Sequence, residues 1–269
     1  MFSFGTEQFL NAYVGAWDNI PTNKKVGVLY PNDADGNAVR EHLAPLLEKH
    51  GYKIIDPGAY QDGTTDYSSQ IALFKREQCQ IFNTFPLPPD FVTFWRQAAQ
   101  QNYTRQVKIA QIGKAGLFPE QVKPLGALAY NLASGIYWSK VFPYKSPLTG
   151  LSASQLAHGY EVATGRQWEQ QLGASMSLLD AGFEALKASS QPTNKESLVK
   201  AISTLNTQTM VGKVDFNNGP FPNVSPTPII AQQWVKSPAG SKYRLEQVTV
   251  DNTDDPNVPI QRKLVPYNA

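Results

Sequence analysis

Two aspartates separated by one residue are the first side chains in the sequence that could do chemistry. Asp33 and Asp35 lie in the segment VLYPNDADGN (28–37), between an apolar run and a helix-like stretch. Paired carboxylates can bind a metal ion or perform acid–base catalysis, and they can also cap a helix by accepting backbone N–H groups. We interpret them first as caps of the following helix, and acid–base catalysis remains the alternative.

The spacing around this pair does not fit a calcium loop. With Gly36 at the sixth position of such a loop, the first and twelfth positions would be Pro31 and His42, which cannot supply the carboxylates required there. The other histidines, His50 and His158, are too scattered to indicate a zinc site. The sequence therefore predicts no metal.

Motifs for cofactor binding and nucleophilic catalysis are also missing from the sequence. It contains no GxSxG elbow, no GxxxxGK[ST] phosphate loop, no GxGxxG fingerprint and no HExxH pair. We therefore expect no cofactor and no enzymatic activity.

The composition fits a packed globular protein without a nucleic-acid partner. The 269 residues are 41% hydrophobic and 17% charged, with a net charge of +2 and no basic cluster interleaved with aromatic residues. The single cysteine, Cys79, predicts a buried free thiol. No run approaches the about 18 apolar residues of a membrane span. The pattern of the first residues predicts an amphipathic helix capped by Thr6, and it does not fit a signal peptide.

Short apolar segments alternate with amphipathic segments from residue 24 onward, which predicts an α/β fold with a doubly wound, mainly parallel sheet. The predicted strands are 24–30, 52–56, 80–85, 107–113 and 134–141. The predicted helices are 37–51, with a kink at Pro45, and 66–78, 89–102 and 118–126.

The alternation ends at about residue 142. We expect a crossing segment there, then helices over 153–164, 167–189 and 194–205, a strand or strand pair within 210–223, and a hairpin of strands 227–236 and 243–250. This is too little sheet to bury three helices. Either the helices pack on the first lobe or their partner sheet is missing, in which case Leu172, Met176, Leu179 and Phe183 should be partly exposed.

Ligands of open α/β sheets bind at the carboxyl ends of the strands, where the strand order reverses. With the common order 2-1-3-4-5, the loops 30–36, 85–90 and 112–116 meet at that point. The candidate ligand-binding residues in these loops are Tyr30, Asp33, Asp35, Phe85, Leu87 and Lys114. Lys114 is either a solvated surface lysine or a partner for a ligand carboxylate.

Several segments resemble a known family. These are GTEQFLNAYVGAWD, KKVGVLYPNDADGNAV, GYKIIDPGAYQDGTTDYSSQIALFK, QIFNTF and VGKVDF…TPIIAQQWVK. In order and spacing they are similar to the periplasmic solute-binding proteins of branched-chain amino-acid-type ABC importers, which have the type 1 periplasmic-binding fold. The resemblance implies a periplasmic protein that captures a small amino acid or organic carboxylate between two lobes by hinge closure and delivers it to an ABC permease.

The resemblance also implies a domain division. Residues 1–145 and 228–269 would form the C-terminal-type α/β lobe, and 146–227 would form the returning, mostly helical part of an incomplete N-terminal-type lobe. The opening portion of the family, including its signal peptide, has no counterpart here, so we expect an N-terminally truncated chain. A ligand-sensing regulator or receptor module on the same fold is the alternative function.

Overall fold

The structure is a computed structural model that describes residues 1–268. Its strands are β1 (Phe2–Ser3), β2 (Lys25–Leu29), β3 (Lys53–Ile55), β4 (Ile81–Thr84), β5 (Ile109–Ile112), β6 (Ala133–Ile136), β7 (Asn206–Thr209), β8 (Gly212–Asp215), β9 (Ser225–Pro226), β10 (Ile230–Lys236) and β11 (Leu245–Asp251). Its α-helices are α1 (Thr6–Trp17), α2 (Ala34–Ala38), α3 (Ala44–Lys49), α4 (Ser68–Arg76), α5 (Pro88–Gln100), α6 (Pro119–Val122), α7 (Ala153–Thr164), α8 (Gln171–Ala188) and α9 (Lys195–Ser203).

The chain divides into two compact units. The first comprises Met1–Gln8, Ile136–Ile230 and Asp254–Pro259, and the second comprises Phe9–Gly135, Ala231–Thr253 and Ile260–Ala269. The predicted division differs from this one, because it assigned residues 1–8, 136–145, 228–230 and 254–259 to the α/β lobe. Aromatic packing explains part of the difference: in the first unit Phe4 stacks on Tyr137, with ring centroids 5.5 Å apart.

The second unit contains a seven-stranded sheet, whose strand order is β11-β10-β6-β5-β4-β2-β3. Strands β3, β2, β4, β5 and β6 pair in parallel, and β10 and β11 form an antiparallel hairpin. The first five predicted strands thus have the expected order 2-1-3-4-5, and the predicted α/β doubly wound class is confirmed.

The helix after β2 begins earlier than predicted, at Ala34, because Asp33 caps it. Pro45 has no N–H to donate to the preceding turn. The five residues Val39–Leu43 adopt a π-helical turn just before it, and Ala44 N–H bonds to the carbonyl of Val39. This insertion accommodates the proline within one helical stretch.

The predicted strand 134–141 is too long. Strand β6 ends at Ile136, and the N–H of Tyr137 donates to Gln170 Oε1 at 3.1 Å instead of to a neighbouring strand. Trp138 is fully buried, and it packs in a cluster of the first unit that includes Phe142, Trp168 and Ile230. The aromatic residues that suggested a longer strand therefore belong to a different core.

The first unit contains α7–α9 and the short strands β1, β7, β8 and β9, so it is mainly helical as predicted. The prediction missed the strand β7, which is polar throughout and pairs with β8. Part of the helical surface of the first unit is apolar and exposed. Leu178 and Leu179 are 63% and 58% accessible, and Met176 and Phe183 are half-buried.

Candidate functional site

Strand register places three loops side by side at the carboxyl edge of the sheet. Leu29 of β2 is level with Thr84 of β4, and Thr84 is level with Ile112 of β5. The hydroxyl of Thr84 donates to the carbonyl of Leu29 at 2.5 Å, which ties two of these strand ends together. The loops that follow therefore start next to one another, as the sequence predicted.

Lys114 joins two of these loops. Its Nζ lies 2.7 Å from Asp33 Oδ2 and 3.0 Å from Asp35 Oδ2, although the lysine is 81 positions away from Asp33 along the chain. The side chains of Lys114 and Asp33 are 28% and 24% exposed, and that of Asp35 is 63% exposed. The interpretation of Lys114 as a solvated surface lysine is wrong, because the fold pairs it with two carboxylates.

Asp33 also has the predicted capping role. Its Oδ1 accepts a hydrogen bond of 2.6 Å from the N–H of Gly36 in the first turn of α2. A Cβ atom on Gly36 would overlap the carbonyl oxygen of Pro31, so glycine is required for this close turn. The capping bond and the ion pair with Lys114 together give Asp33 a structural role.

The pKa values of Asp33 and Lys114 are shifted toward their charged forms. Burial opposes the charge on Asp33, but hydrogen bonds from Lys114 and from the N–H of Gly36 outweigh it and lower the pKa of Asp33. Burial likewise opposes the charge on Lys114, and the Asp33 and Asp35 carboxylates outweigh it and raise the pKa of Lys114. Asp33 and Lys114 are therefore both charged at neutral pH.

Phe85 follows β4 at the same edge of the sheet, and its ring packs against Gly113, the residue before Lys114. Phe85 is 5% exposed, and its ring contacts Phe9 edge-on, with centroids 5.3 Å apart. Tyr13 and Tyr30 lie next, each with its ring centroid 6.4 Å from that of Phe85. The sequence analysis did not identify Phe9 as part of this site, because Phe9 lies on α1, far along the chain from the predicted loops.

Tyr30 was predicted to be a ligand-binding residue, whereas the structure buries it completely. Its hydroxyl donates to Asn83 Oδ1 at 2.7 Å, and Asn83 is itself fully buried. Tyr30 follows the end of β2 but remains in the core, because the ring of Phe85 packs against it. Tyr30 supports Phe85 rather than lining the surface.

Leu87 lies at the start of α5 and is 41% exposed. The structure therefore brings the predicted residues of the three loops to one edge, with Lys114, Asp33 and Asp35 in direct contact and Phe85 and Tyr30 packed together. Leu87 is accessible on the loop after β4. Whether these side chains bind a ligand remains a prediction.

A separate open hollow of about 460 Å³ lies within the first unit. Its lining residues are Gln8, Tyr144, Gln208, Lys213, Pro226, Thr227, Pro228, Asp254, Asp255 and Asn257. Tyr144 donates a hydrogen bond to Asp255, and the N–H of Ile229 donates to Asp254. No motif in the sequence pointed to this hollow.

Residues 1–268 contain neither a cluster of metal-ligating side chains nor a membrane-spanning helix. No group of three or more His, Cys, Asp or Glu side chains there is arranged to hold a metal ion. None of the helices in this part of the chain has the length and apolar character needed to cross a membrane.

A periplasmic binding protein family model matches residues 1–231. Since this is well over half of the chain, the chain belongs to the periplasmic binding protein family, and the predicted resemblance is confirmed. Comparison with functionally curated proteins gives no significant match.

Solved structures of the same fold cover most of the chain. An ABC transporter substrate-binding protein from Sphaerobacter thermophilus is 17% identical, with a TM-score of 0.74 over 95% of this chain and 68% of its own. A leucine-binding protein from Thermotoga maritima is 13% identical, with a TM-score of 0.72 over 93% and 66%.

A solute-binding protein of an ABC transporter from Rhodopseudomonas palustris, in complex with 3,4-dihydroxybenzoic acid, is 16% identical. Its TM-score is 0.69, over 93% of this chain and 65% of its own. The chain thus spans about two thirds of the length of these three structures, between 65% and 68%. At these identities the likeness concerns the fold.

Proposed function

We propose that this chain is the substrate-binding component of an ABC importer and that it captures a small amino-acid-like or carboxylate metabolite. The observation that carries the proposal is the meeting of the loops after β2, β4 and β5 at one edge of a periplasmic-binding fold. In open α/β sheets this edge is where ligands bind.

The side chains at this edge suit a small solute. Leu87 offers an exposed apolar side chain, and the ring of Phe85, of which a small part is accessible, is held rigidly by Phe9 and Tyr13. Next to it, Lys114 and Asp35 supply charged and hydrogen-bonding groups at the rim. An apolar surface with a few fixed polar groups is the usual composition of a small-molecule site.

The mechanism that we propose is hinge closure. A ligand that binds the closed state more tightly than the open state shifts the population toward closure. The closed, loaded form would then be the one that a membrane permease recognises, and the protein would work outside the cytoplasm. The family membership supports both parts of this proposal.

Isothermal titration calorimetry of this chain with amino acids, ureas and aromatic carboxylates tests the function. We expect heat of binding with at least one of these solutes and a weaker affinity in F85L, which keeps an apolar side chain but removes the ring. F221L, at a 70% exposed phenylalanine of the first unit, is the matched control and should bind like the wild type. Absence of binding to every solute would contradict the proposal.

A further inference from the structure

The open hollow of the first unit shares no residue with the proposed solute site. Its walls come from the segments Met1–Gln8, Ile136–Ile230 and Asp254–Pro259, whereas the loops after β2, β4 and β5 belong to the second unit. Its volume of about 460 Å³ is within the range of about 300–1,000 Å³ that small-molecule pockets have. The hollow is therefore large enough to hold a small solute of its own.

Thr227 carries an unused hydroxyl group on the wall of this hollow. The residue is only 3% exposed, and its backbone N–H is held by a 2.7 Å bond to the carbonyl of Ser3. Within residues 1–268 its hydroxyl has no hydrogen-bond partner, and it is not one of the polar atoms that the protein encloses completely. Since buried polar groups are nearly always hydrogen-bonded, this hydroxyl indicates a partner that enters the hollow.

Gln8 and Asn257 add two more uncharged groups to the wall. Gln8 Oε1 accepts the N–H of Gly5 at 2.8 Å, and its amide nitrogen donates to no residue in the described part of the chain. Asn257 donates its side-chain amide to Asp255, and its Oδ1 accepts from no described residue. A donor, an acceptor and a hydroxyl of the wall are therefore open to a solute.

The carboxylate of Asp255, in contrast, already has donors at both oxygens. Its Oδ2 accepts from the hydroxyl of Tyr144, and its Oδ1 accepts from the backbone and side-chain nitrogens of Asn257 at 3.1 Å and 3.0 Å. Asp255 is 8% exposed, so these bonds satisfy a largely buried charge. It therefore holds the wall together and does not require a cation from a solute.

The two other charged residues of the wall have partners too. Asp254 Oδ2 accepts from the N–H of Ile229 at 2.9 Å, and Lys213 Nζ lies 2.9 Å from Asp215 Oδ2. Two aspartates and one lysine thus line the hollow, so both signs of charge are present. A charged solute meets a like charge there, whichever sign it carries.

We propose that this hollow is a second binding site, which takes a small uncharged polyhydroxylated solute, a polyol or a monosaccharide. A hydroxyl group both donates and accepts, so such a solute pairs with the Thr227 hydroxyl, the Gln8 amide nitrogen and Asn257 Oδ1. Its C–H groups pack against Pro226 and Pro228, which supply apolar surface on the same wall. This inference does not depend on the proposed function, because the two sites have no residue in common.

The first test uses two sets of matched probes that differ at one group. The linear set is D-sorbitol, D-gluconate and D-glucamine, and the cyclic set is D-glucose, D-glucuronate and D-glucosamine. The whole chain is titrated at neutral pH and low ionic strength, and backbone amide NMR shifts give the affinity and the location. In at least one set we expect the neutral probe to bind with a Kd of about 1 mM or below and its charged relatives to bind at least about threefold more weakly. The amides of Thr227 and Lys213 should shift, and that of Gly113 should not.

The second test uses variants of the wall. T227V keeps the shape of the side chain, removes the hydroxyl and should weaken binding of the neutral probe about threefold to tenfold. Q8E keeps the acceptor for the N–H of Gly5 but removes the amide donor, and it should weaken binding by a similar factor. Because Gln8 is only half-buried, Q8E serves if T227V does not fold. T193V, at an exposed threonine of the same unit, is the matched control and should bind like the wild type.

Several outcomes would overturn this inference. It fails if none of the six probes binds, or if the shifted amides are confined to the loops after β2, β4 and β5. A charged probe that binds more tightly than its neutral relative refutes the assignment to uncharged solutes, and wild-type affinity in T227V or in Q8E refutes the assignment of the wall. None of these results bears on the proposed function, which the calorimetry with amino acids, ureas and aromatic carboxylates decides separately.

Discussion

Gly113 lies directly against the ring of Phe85, so close that a Cβ atom on Gly113 would be 2.7 Å from Phe85 Cγ and 2.8 Å from Cε1. The N–H of Gly113 also donates to the carbonyl of Thr84 at 2.7 Å, which fixes the loop to the neighbouring strand end. The ring cannot move away freely, because Phe9 and Tyr13 pack on it. The position of the Phe85 ring therefore depends on the absence of a side chain at residue 113.

The first prediction concerns this contact. G113A should destabilise the protein by about 1–3 kcal/mol, since an extra methyl group in a packed core forces side chains from their preferred positions. Urea unfolding followed by tryptophan fluorescence measures the change. G159A, in α7 where a Cβ atom meets nothing within 4 Å, should be neutral or stabilising. Equal effects of the two substitutions would contradict the packing argument.

The second prediction concerns the pH dependence of stability at Asp33. D33N keeps a good capping side chain but removes the charge that Lys114 binds, and we expect a loss of about 1 kcal/mol at neutral pH. The pKa of Asp33 is lowered in the folded state, while that of an unfolded aspartate is about 3.9. The ionic contribution is therefore present above pH about 4 and is lost as the pH falls through the folded value.

Urea titrations of the wild type and D33N between neutral pH and pH about 3 check this prediction. The difference in the free energy of unfolding should shrink as the solution becomes more acidic. D33A, which also loses the cap on α2, should remain less stable than D33N over the whole range by about 1 kcal/mol. A difference between wild type and D33N that grows toward low pH would refute the assignment.

The third prediction concerns Tyr30, whose hydroxyl bonds to the buried Asn83. Y30F should lower the free energy of unfolding by about 1–2 kcal/mol, because it leaves a buried acceptor with one donor fewer. The aromatic ring beside Phe85 is kept, so solute binding should change little. Y160F, at a half-buried tyrosine of α7, serves as the comparison. A large loss of affinity without loss of stability would place Tyr30 in direct contact with the solute.

The fourth prediction concerns the exposed apolar surface of α8. Leu178 and Leu179 are adjacent and more than half exposed, and contiguous apolar patches promote association. The double variant L178Q/L179Q should reduce association measured by sedimentation velocity, with a stability change within about 0.5 kcal/mol for each site. I260Q, at an isolated exposed residue, should leave association unchanged. If the double variant associates as strongly as the wild type, a different surface is responsible for the association.

Local patterns predicted much of this fold. Alternating apolar segments identified β2 to β6 and the helices between them, and the common order of such strands placed the loops after β2, β4 and β5 together. The capping role of Asp33 was also predictable, because a cap depends on residues within one helical turn. The cap and the individual elements follow from interactions between near neighbours in the chain, and the strand order follows from the general rules for connecting parallel strands.

Other features depended on residues distant in sequence. The pairing of Lys114 with Asp33 and Asp35, the burial of Tyr30 and the packing of Phe9 on Phe85 each join elements that only folding brings together. The end of β6 at Ile136 likewise depended on which core accepts Trp138. The sequence by itself determined most of the strands and helices of the α/β sheet and their order along the chain. The tertiary structure decided how the charges in those loops are paired, because electrostatic partners are set by distance in space and not along the chain.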